Sequence, residues 1–374
     1  MTENKKTTAP IPAVGAAGEQ SNSKNTNNII PNEASKINVQ AENCPEKSGH
    51  SPLHTASMAQ LYGTSYQPKA RIVDGILCAG TYLFAGSPKI GKSFLMAQLG
   101  YHISAGLPLW TYPVHGGTVL YLALEDDYAR LQRRLSTMFG VEGTENLFFS
   151  TKAKRMGDGL GTQLETFVKE HPDTRLIIID TLQKVREMCG ERYNYASDYE
   201  IVTRLKAFSD RHNVCLLIVH HTRKMDADDS FDMISGTNGL LGAADGAFIL
   251  QKKKRTDSKA TLSITGRDQQ DQELTLEFDH QRCVWKMIKA ETELWKSPPD
   301  PVLEAISKLV SPIAPEWSGS PSDLLTQISD SSLKPHILTR HLNVNAERLF
   351  NDYNIIYENR HLHEGRIVRL TLKA

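Results

Sequence analysis

The sequence predicts an α/β protein with a doubly wound, mostly parallel sheet, followed by a smaller module of short helices and a hairpin. Three observations lead there. The apolar runs Thr118 to Leu124, Leu176 to Ile179, Val214 to Val219 and Ala247 to Leu250 are continuous instead of alternating, which suits strands buried on both faces. Helical signals fall between them, the alternation a parallel sheet requires. At Gly86 to Ser93 the chain reads Gly-Ser-Pro-Lys-Ile-Gly-Lys-Ser, set between the apolar Tyr82-Leu83-Phe84-Ala85 and a helix-like Phe94 to Leu99.

Taken in order, Met1 to about Ser57 has no Phe, Trp or Tyr and is rich in Asn, Thr, Ser, Lys, Ala and Pro. Too little apolar surface is available to offset the entropy of ordering, so residues 1–57 are expected to be a disordered tail. The α/β domain is expected over 58–290. Within it, Thr162-Gln163-Leu164-Glu165 reads as a capping box opening a helix, and Tyr199 to Phe208 puts Ile201, Leu205 and Phe208 on one helical face. Thr261 to Ile264 and Leu274 to Phe278 alternate, which predicts an antiparallel extension ending near Trp285. The joint Lys296-Ser297-Pro298-Pro299-Asp300-Pro301 can continue neither helix nor central strand and marks a boundary. Beyond it, over 298–374, Val302 to Leu309 is amphipathic, Ser320-Pro321 and Lys334-Pro335 open helices, and Gly365 turns a hairpin into Val368, Leu370 and Leu372. That order suggests a winged helix-turn-helix.

Composition narrows the function classes. Forty-three basic residues balance forty-three acidic ones, so affinity for nucleic acid has to come from local basic faces. Five scattered cysteines contain no Cys-x-x-Cys pair, against both a zinc site and a disulfide scaffold and in keeping with a reducing cytoplasm. No apolar stretch reaches the roughly 18 residues of a membrane span.

The chemistry begins with the loop at Gly86. A strand-to-helix loop can turn backbone N–H groups and a helix N-terminus toward an anion. Gly86 and Gly91 permit the tight path, Lys92 can reach β- and γ-phosphates, and the Ser93 hydroxyl can ligate Mg²⁺. Gly86, Ser87, Pro88, Lys89, Ile90, Gly91, Lys92 and Ser93, with Phe94 beside them, are therefore the expected contacts of a nucleoside triphosphate. Asp180, ending the apolar run Leu176 to Ile179, is the expected second group for Mg²⁺, the alternative being a turn or helix cap. Glu125 follows another strand and is positioned to polarise an attacking water. Asp126 and Asp127 suit the first turn of the next helix, a reading that also competes for Glu125. His220 and His221 end a further strand, as a phosphate sensor, a metal pair or satisfied core histidines. Arg267 is either a residue reaching across a subunit interface or the partner of Asp268 in a surface ion pair. Lys252 to Arg255 reads as a solvated hairpin end with only weak indication of DNA.

Together these stretches resemble the RecA-like ATPases, and among them the RepA-type hexameric replicative helicases of plasmids and mobile elements. The resemblance spans about 60–288. Its more specific parts are Leu122-Ala123-Leu124-Glu125-Asp126, Val219-His220-His221-Thr222-Arg223-Lys224 and Ser235-Gly236-Thr237-Asn238-Gly239-Leu240 with Ala243-Ala244-Asp245, in that order. It implies ATP and Mg²⁺ as ligands, with Lys92 on the phosphates, Glu125 as the residue that activates water, His221 instead of His220 as sensor, and Arg267 as a finger contributed by a neighbouring subunit. It implies a homo-oligomer, possibly a hexamer, acting on DNA, chiefly single-stranded. The expected function is an ATP-driven replicative DNA helicase, with a DNA-binding ATPase switch or loader that does not unwind as the alternative. A small-molecule kinase is disfavoured by the lack of an Arg-rich lid segment. In the C-terminal region Lys334, Arg340, Arg348, Arg360, Arg366, Arg369 and Lys373 outnumber the acids, so that region is expected to meet DNA or a replication protein.

Overall fold

The computed structural model describes residues 55–186, 195–221, 231, 238–254, 256–292, 298–329, 333–362 and 365–373. The expected tail therefore lies outside the described residues except for its last three, of which Ser57 caps the first helix.

Helix α1 (Met58–Gly63) leads into the short strands β1 (Arg71–Val73) and β2 (Leu77–Cys78). Then come β3 (Gly80–Gly86), α2 (Lys92–Ala105), β4 (Thr118–Ala123), α3 (Tyr128–Phe139), β5 (Leu147–Ser150), α4 (Leu160–Glu170) and β6 (Thr174–Asp180). They are followed by α5 (Leu182–Val185), α6 (Tyr195–His212), β7 (Cys215–His221), α7 (Asn238–Ala243), β8 (Gly246–Gln251), β9 (Lys259–Gly266), β10 (Gln269–Asp279) and β11 (Val284–Ala290). Nine of these strands form one sheet in the order β11-β10-β9-β8-β3-β7-β6-β4-β5, parallel from β8 to β5 and antiparallel from β8 to β11. This is the RecA-like core expected from the sequence.

The continuous apolar runs are explained by two separate cores. Tyr82 and Phe84 of β3 join Leu217 and Val219 of β7 on one face, while Leu83 and Ala85 join Leu216 and Ile218 on the other. A strand buried on both faces has no polar positions to alternate with, and each fully buried Leu or Ile contributes about 1.5–3 kcal/mol. Helix α2 packs against β4, β5 and β6 and also against β11, at the far end of the strand order. The antiparallel ribbon β9 to β11 therefore curls over the first face and encloses α2, so Leu95, Met96, Ala97, Gln98, Leu99 and Gly100 are all buried in succession.

One local expectation is corrected. Helix α4 starts at Leu160 with Gly159 as its cap and no side-chain cap bond, so Thr162 lies inside the first turn and the capping box does not form. Gly159 in the left-handed region, ending a short 3-10 turn over Met156–Asp158, already opens the helix two residues earlier.

The C-terminal part comprises α8 (Pro301–Ser307), β12 (Glu316–Gly319), α9 (Pro321–Gln327), α10 (Pro335–Val344), α11 (Ala346–Tyr353), β13 (Ile355–Leu362) and β14 (Gly365–Leu372). Its sheet order β12-β14-β13 and its own apolar cluster around Leu303, Leu324, Leu338, Leu349 and Leu370 make the small winged-helix-like domain. Ser320 and Asp323 close a capping box before Pro321, as the sequence indicates, whereas β12 and α11 add to the elements expected. This domain meets the preceding chain at α1 and β1. The Asn343 amide donates to the Tyr62 carbonyl (2.9 Å), and Arg71 pairs with Asp352 (3.3 Å).

Candidate functional site

The carboxyl ends of β3, β4, β6 and β7 lie side by side. Gly86 is in register with His221, Ala123 with Asp180, and Asp180 with Val219. In open α/β sheets this edge is where ligands bind.

The loop after β3 takes its path from two left-handed residues, Lys89 (φ 63°) and Gly91 (φ 107°). Such a path builds a concavity of inward N–H groups suited to an anion. Gly91 is required twice over, because a Cβ there would also stand 2.9 Å from the Trp285 ring. Lys92 is almost fully buried, and its ammonium donates to the carbonyls of Gly86 (2.7 Å) and Ser87 (3.0 Å) and to Nδ1 of His221 (3.2 Å). Burial lowers its pKa to about 8 in spite of the nearby carboxylates of Asp180 and Glu125. A triphosphate replaces these acceptors with stronger, charged ones.

Opposite the loop, the Asp180 Oδ2 atom accepts from the Ser93 hydroxyl (2.8 Å) and from the Tyr121 hydroxyl (2.8 Å). Burial raises the Asp180 pKa, against the opposing effect of these two hydroxyls. A hydroxyl and a carboxylate held together at the loop's rim form an oxygen donor set of the kind Mg²⁺ takes. Ser93 and Asp180 thus fit the metal, and Lys92 with the loop fits the phosphates. Sequence patterning missed Tyr121, whose hydroxyl is placed by sheet register alone.

Glu125 lies exposed just beyond β4, where its Oε1 accepts from the Thr181 hydroxyl (3.1 Å). Its neighbours are occupied otherwise. Asp127 caps α3 by accepting from the Arg130 N–H (2.8 Å), and Asp126 pairs with Arg134 (2.7 Å) and Arg130 (3.4 Å). The helix-start reading therefore fits Asp127, and Glu125 alone of the three acids faces the loop's edge with its carboxylate held only by a hydroxyl.

The two histidines separate. His221 is half-exposed beside Lys92, with its pKa lowered by burial and by that ammonium. His220 is buried on the other face, and burial, with Arg186 next in effect, lowers its pKa to about 4. Adjacent strand residues point to opposite faces, so the pair cannot chelate one ion. Thr222, Arg223, Lys224, Gly236 and Thr237 lie outside the described residues, as does the loop 224–235 apart from Phe231, and so does Arg255.

Arg267 stands apart from the other site residues. Gly266 is in register with Gly246, which is in register with Tyr82, four residues before Gly86. Arg267 is therefore at the amino edge of the parallel strands, about 13 Å along β3 from the loop. It is exposed and donates to the Gly242 carbonyl, while Asp268 pairs with Lys69 (2.8 Å). The expected alternative, an Arg267–Asp268 ion pair, is not formed.

A family model described as an AAA domain matches residues 49–227, a span that holds the loop, Glu125, Asp180 and both histidines but ends before Arg267. No curated protein matches the chain. Among solved structures, an isolated ATPase domain is similar over 56% of this chain and 85% of its own, at 14% identity and TM-score 0.48. A DnaB-like replicative helicase, described with its interactions with primase, is similar over 56% of this chain and 58% of its own, at 14% identity and TM-score 0.47. A KaiC-like protein from the hyperthermophilic archaeon Pyrococcus horikoshii is similar over 60% of this chain and 99% of its own, at 12% identity and TM-score 0.44.

Proposed function

We propose that this chain is an ATP-hydrolysing, DNA-associated motor, in finer terms a RepA-like replicative helicase of a mobile element that works as a homo-oligomer, possibly a hexamer, in the cytoplasm. The observation that carries the reading is the convergence of Lys92, Ser93, Asp180, Glu125 and His221 at one sheet edge around a left-handed phosphate loop. In this reading Gly86 to Phe94 hold ATP and Lys92 leaves the loop carbonyls for the β- and γ-phosphates. Glu125 takes a proton from the water that attacks the γ-phosphorus, the bond to the ADP oxygen breaks, and ADP and phosphate depart. Ser93 and Asp180 would hold Mg²⁺, which neutralises charge on the phosphate oxygens. His221 senses the γ-phosphate once Lys92 has moved. Arg267, being remote from the loop of its own chain, acts in a neighbour's site, which supports an oligomer.

Residues 58–290 are in this reading the motor and 298–374 a module that contacts DNA or a replication protein. Arg340 on α10 and Arg366 and Arg369 on the hairpin are exposed and suit DNA phosphates. Arg348 is withdrawn from that set, because it is only partly exposed and binds the Pro298 carbonyl (2.9 Å) and Asp352 (3.6 Å). Among the described residues no helix is long and apolar enough to cross a membrane.

The deciding experiment measures ATP hydrolysis with and without single-stranded DNA, together with mass in ATP and strand separation on a forked duplex. Stimulated hydrolysis, a ring mass and unwinding are expected, all lost in folded Lys92→Ala. Hydrolysis without unwinding would favour the switch or loader, and undiminished hydrolysis in folded Lys92→Ala would overturn the site.

A further inference from the structure

The ribbon that curls over α2 ends in a residue tied to the phosphate loop from several sides. Trp285 on β11 is buried to 1% exposure, and its indole N–H donates to the Gly91 carbonyl (3.2 Å). That carbonyl also accepts the first backbone bond of α2, from Leu95 (3.2 Å), so the indole holds the atom at which loop becomes helix. The backbone of Trp285 is clamped as well. Gln98 of α2 accepts from its N–H (2.8 Å) and donates to its carbonyl (2.9 Å), and the Trp110 indole donates to the same carbonyl (2.8 Å). The Lys252 ammonium lies over its ring at 5.3 Å, and Phe278 packs edge-on against it at 5.0 Å.

We propose that Trp285 is a positioning residue for the phosphate loop, and that it makes the loop, α2 and the β9 to β11 ribbon move as one body. The inference rests on the reading of Gly86 to Ser93 as the ATP site. Phosphate entering the loop draws Lys92 off the carbonyls of Gly86 and Ser87, and the turn at Gly91 adjusts against an indole that cannot yield, since its ring, N–H and backbone are all held. The adjustment passes into β11, then through the Phe278 and Trp285 register into β10, whose turn with β9 carries Arg267. The ribbon thereby ties the occupancy of one site to the position of the arginine at the opposite sheet edge. Gln98 has a second effect, because its amide covers the free edge of β11 and keeps the ribbon in place.

The test uses the full chain labelled with 5-fluorotryptophan, whose four tryptophans give four fluorine resonances. Trp285→Phe, or stepwise Trp110→Phe, Trp295→Phe and Trp317→Phe if that variant does not fold, assigns the signal of Trp285. ATP is expected to shift the Trp285 resonance, and adenosine, which lacks phosphates, to leave it in place. In steady state, Trp285→Phe and Gln98→Met should each raise KM for ATP about fivefold with kcat largely retained, as loss of one or two hydrogen bonds to the loop support implies. A merely structural tryptophan would lower the folded fraction and kcat together without moving KM. An unshifted Trp285 resonance while calorimetry records ATP binding overturns the inference, as does an unchanged KM in both variants. Absence of ATP binding in calorimetry would instead bring down the phosphate-loop reading, and this inference with it.

Discussion

Lys92 offers a quantitative test of the site through pH. In the free chain burial holds its ammonium at about 8, well below the ordinary 10.5 of a lysine. Phosphate oxygens restore the charged form, so the group is protonated in the complex across the working range. Below about pH 8 the free protein already carries the proton and affinity is flat. Above it, each binding event has to take up a proton, and the apparent Kd rises as the protonated fraction falls. At about pH 9 roughly one molecule in eleven is protonated, so Kd should be about tenfold weaker than at about pH 7. Calorimetric titration of ATP into the full chain, in buffers of different ionisation enthalpy, would measure both the affinity and the proton taken up. Lys92→Arg, which does not titrate in this range, should abolish the dependence whatever its absolute affinity. A Kd that is constant from pH 7 to 9, or one that tightens with pH, would refute the placement of a depressed lysine against phosphate.

Three further outcomes are expected. Glu125→Gln should bind ATP normally and lose on the order of 10² or more in single-turnover hydrolysis, whereas near-normal turnover would return Glu125 to a structural role beside Thr181. Arg267→Ala should bind ATP but not hydrolyse it, and mixing it with Glu125→Gln should restore part of the rate at mixed interfaces; an inactive mixture in rings shown to co-assemble would exclude action in trans. Asp245→Ala should lower stability by about 3 kcal/mol in urea unfolding, because the buried carboxylate accepts from the Thr81 N–H (2.9 Å) and pairs with Lys206. Against the raising effect of burial, the Lys206 ammonium and the Thr81 N–H keep Asp245 below its usual pKa, so this stability is present at neutral pH and is lost as pH falls through that lowered value.

Much of the core was legible because it is locally written. Continuous apolar runs identified β4, β6, β7 and β8, and Asp180 and Glu125 stand directly after such runs, so strand ends located the site. The short strands β1 and β5 were not legible, since three or four residues carry no period. Nor were Tyr121 and Trp285. The indole of Trp285 meets a carbonyl 194 residues earlier, and the Gln98 clamp spans 187 residues, distances that no local pattern encodes. Arg348 misled for a related reason: positive charge in a sequence says nothing of whether a carbonyl and a carboxylate already hold it. The start of α4 was misplaced because a left-handed glycine opened the helix before the capping signal.

The attachment of the C-terminal domain has a geometric consequence. Its ties, Arg71 to Asp352 and Asn343 to Tyr62, fall on the segment that enters β3, where Ala70 is also bonded to Asn213 just before β7. That is the amino edge of the sheet. The phosphate loop leaves β3 at the other end, seven residues on. At about 3.3 Å per residue the two are roughly 20 Å apart along a strand with no exposed position. A ligand seated on the small domain and a nucleotide at the loop therefore occupy the two ends of one stiff rod. Neither can shield or crowd the other, and whatever one end reports to its opposite must travel as a displacement of packed strands.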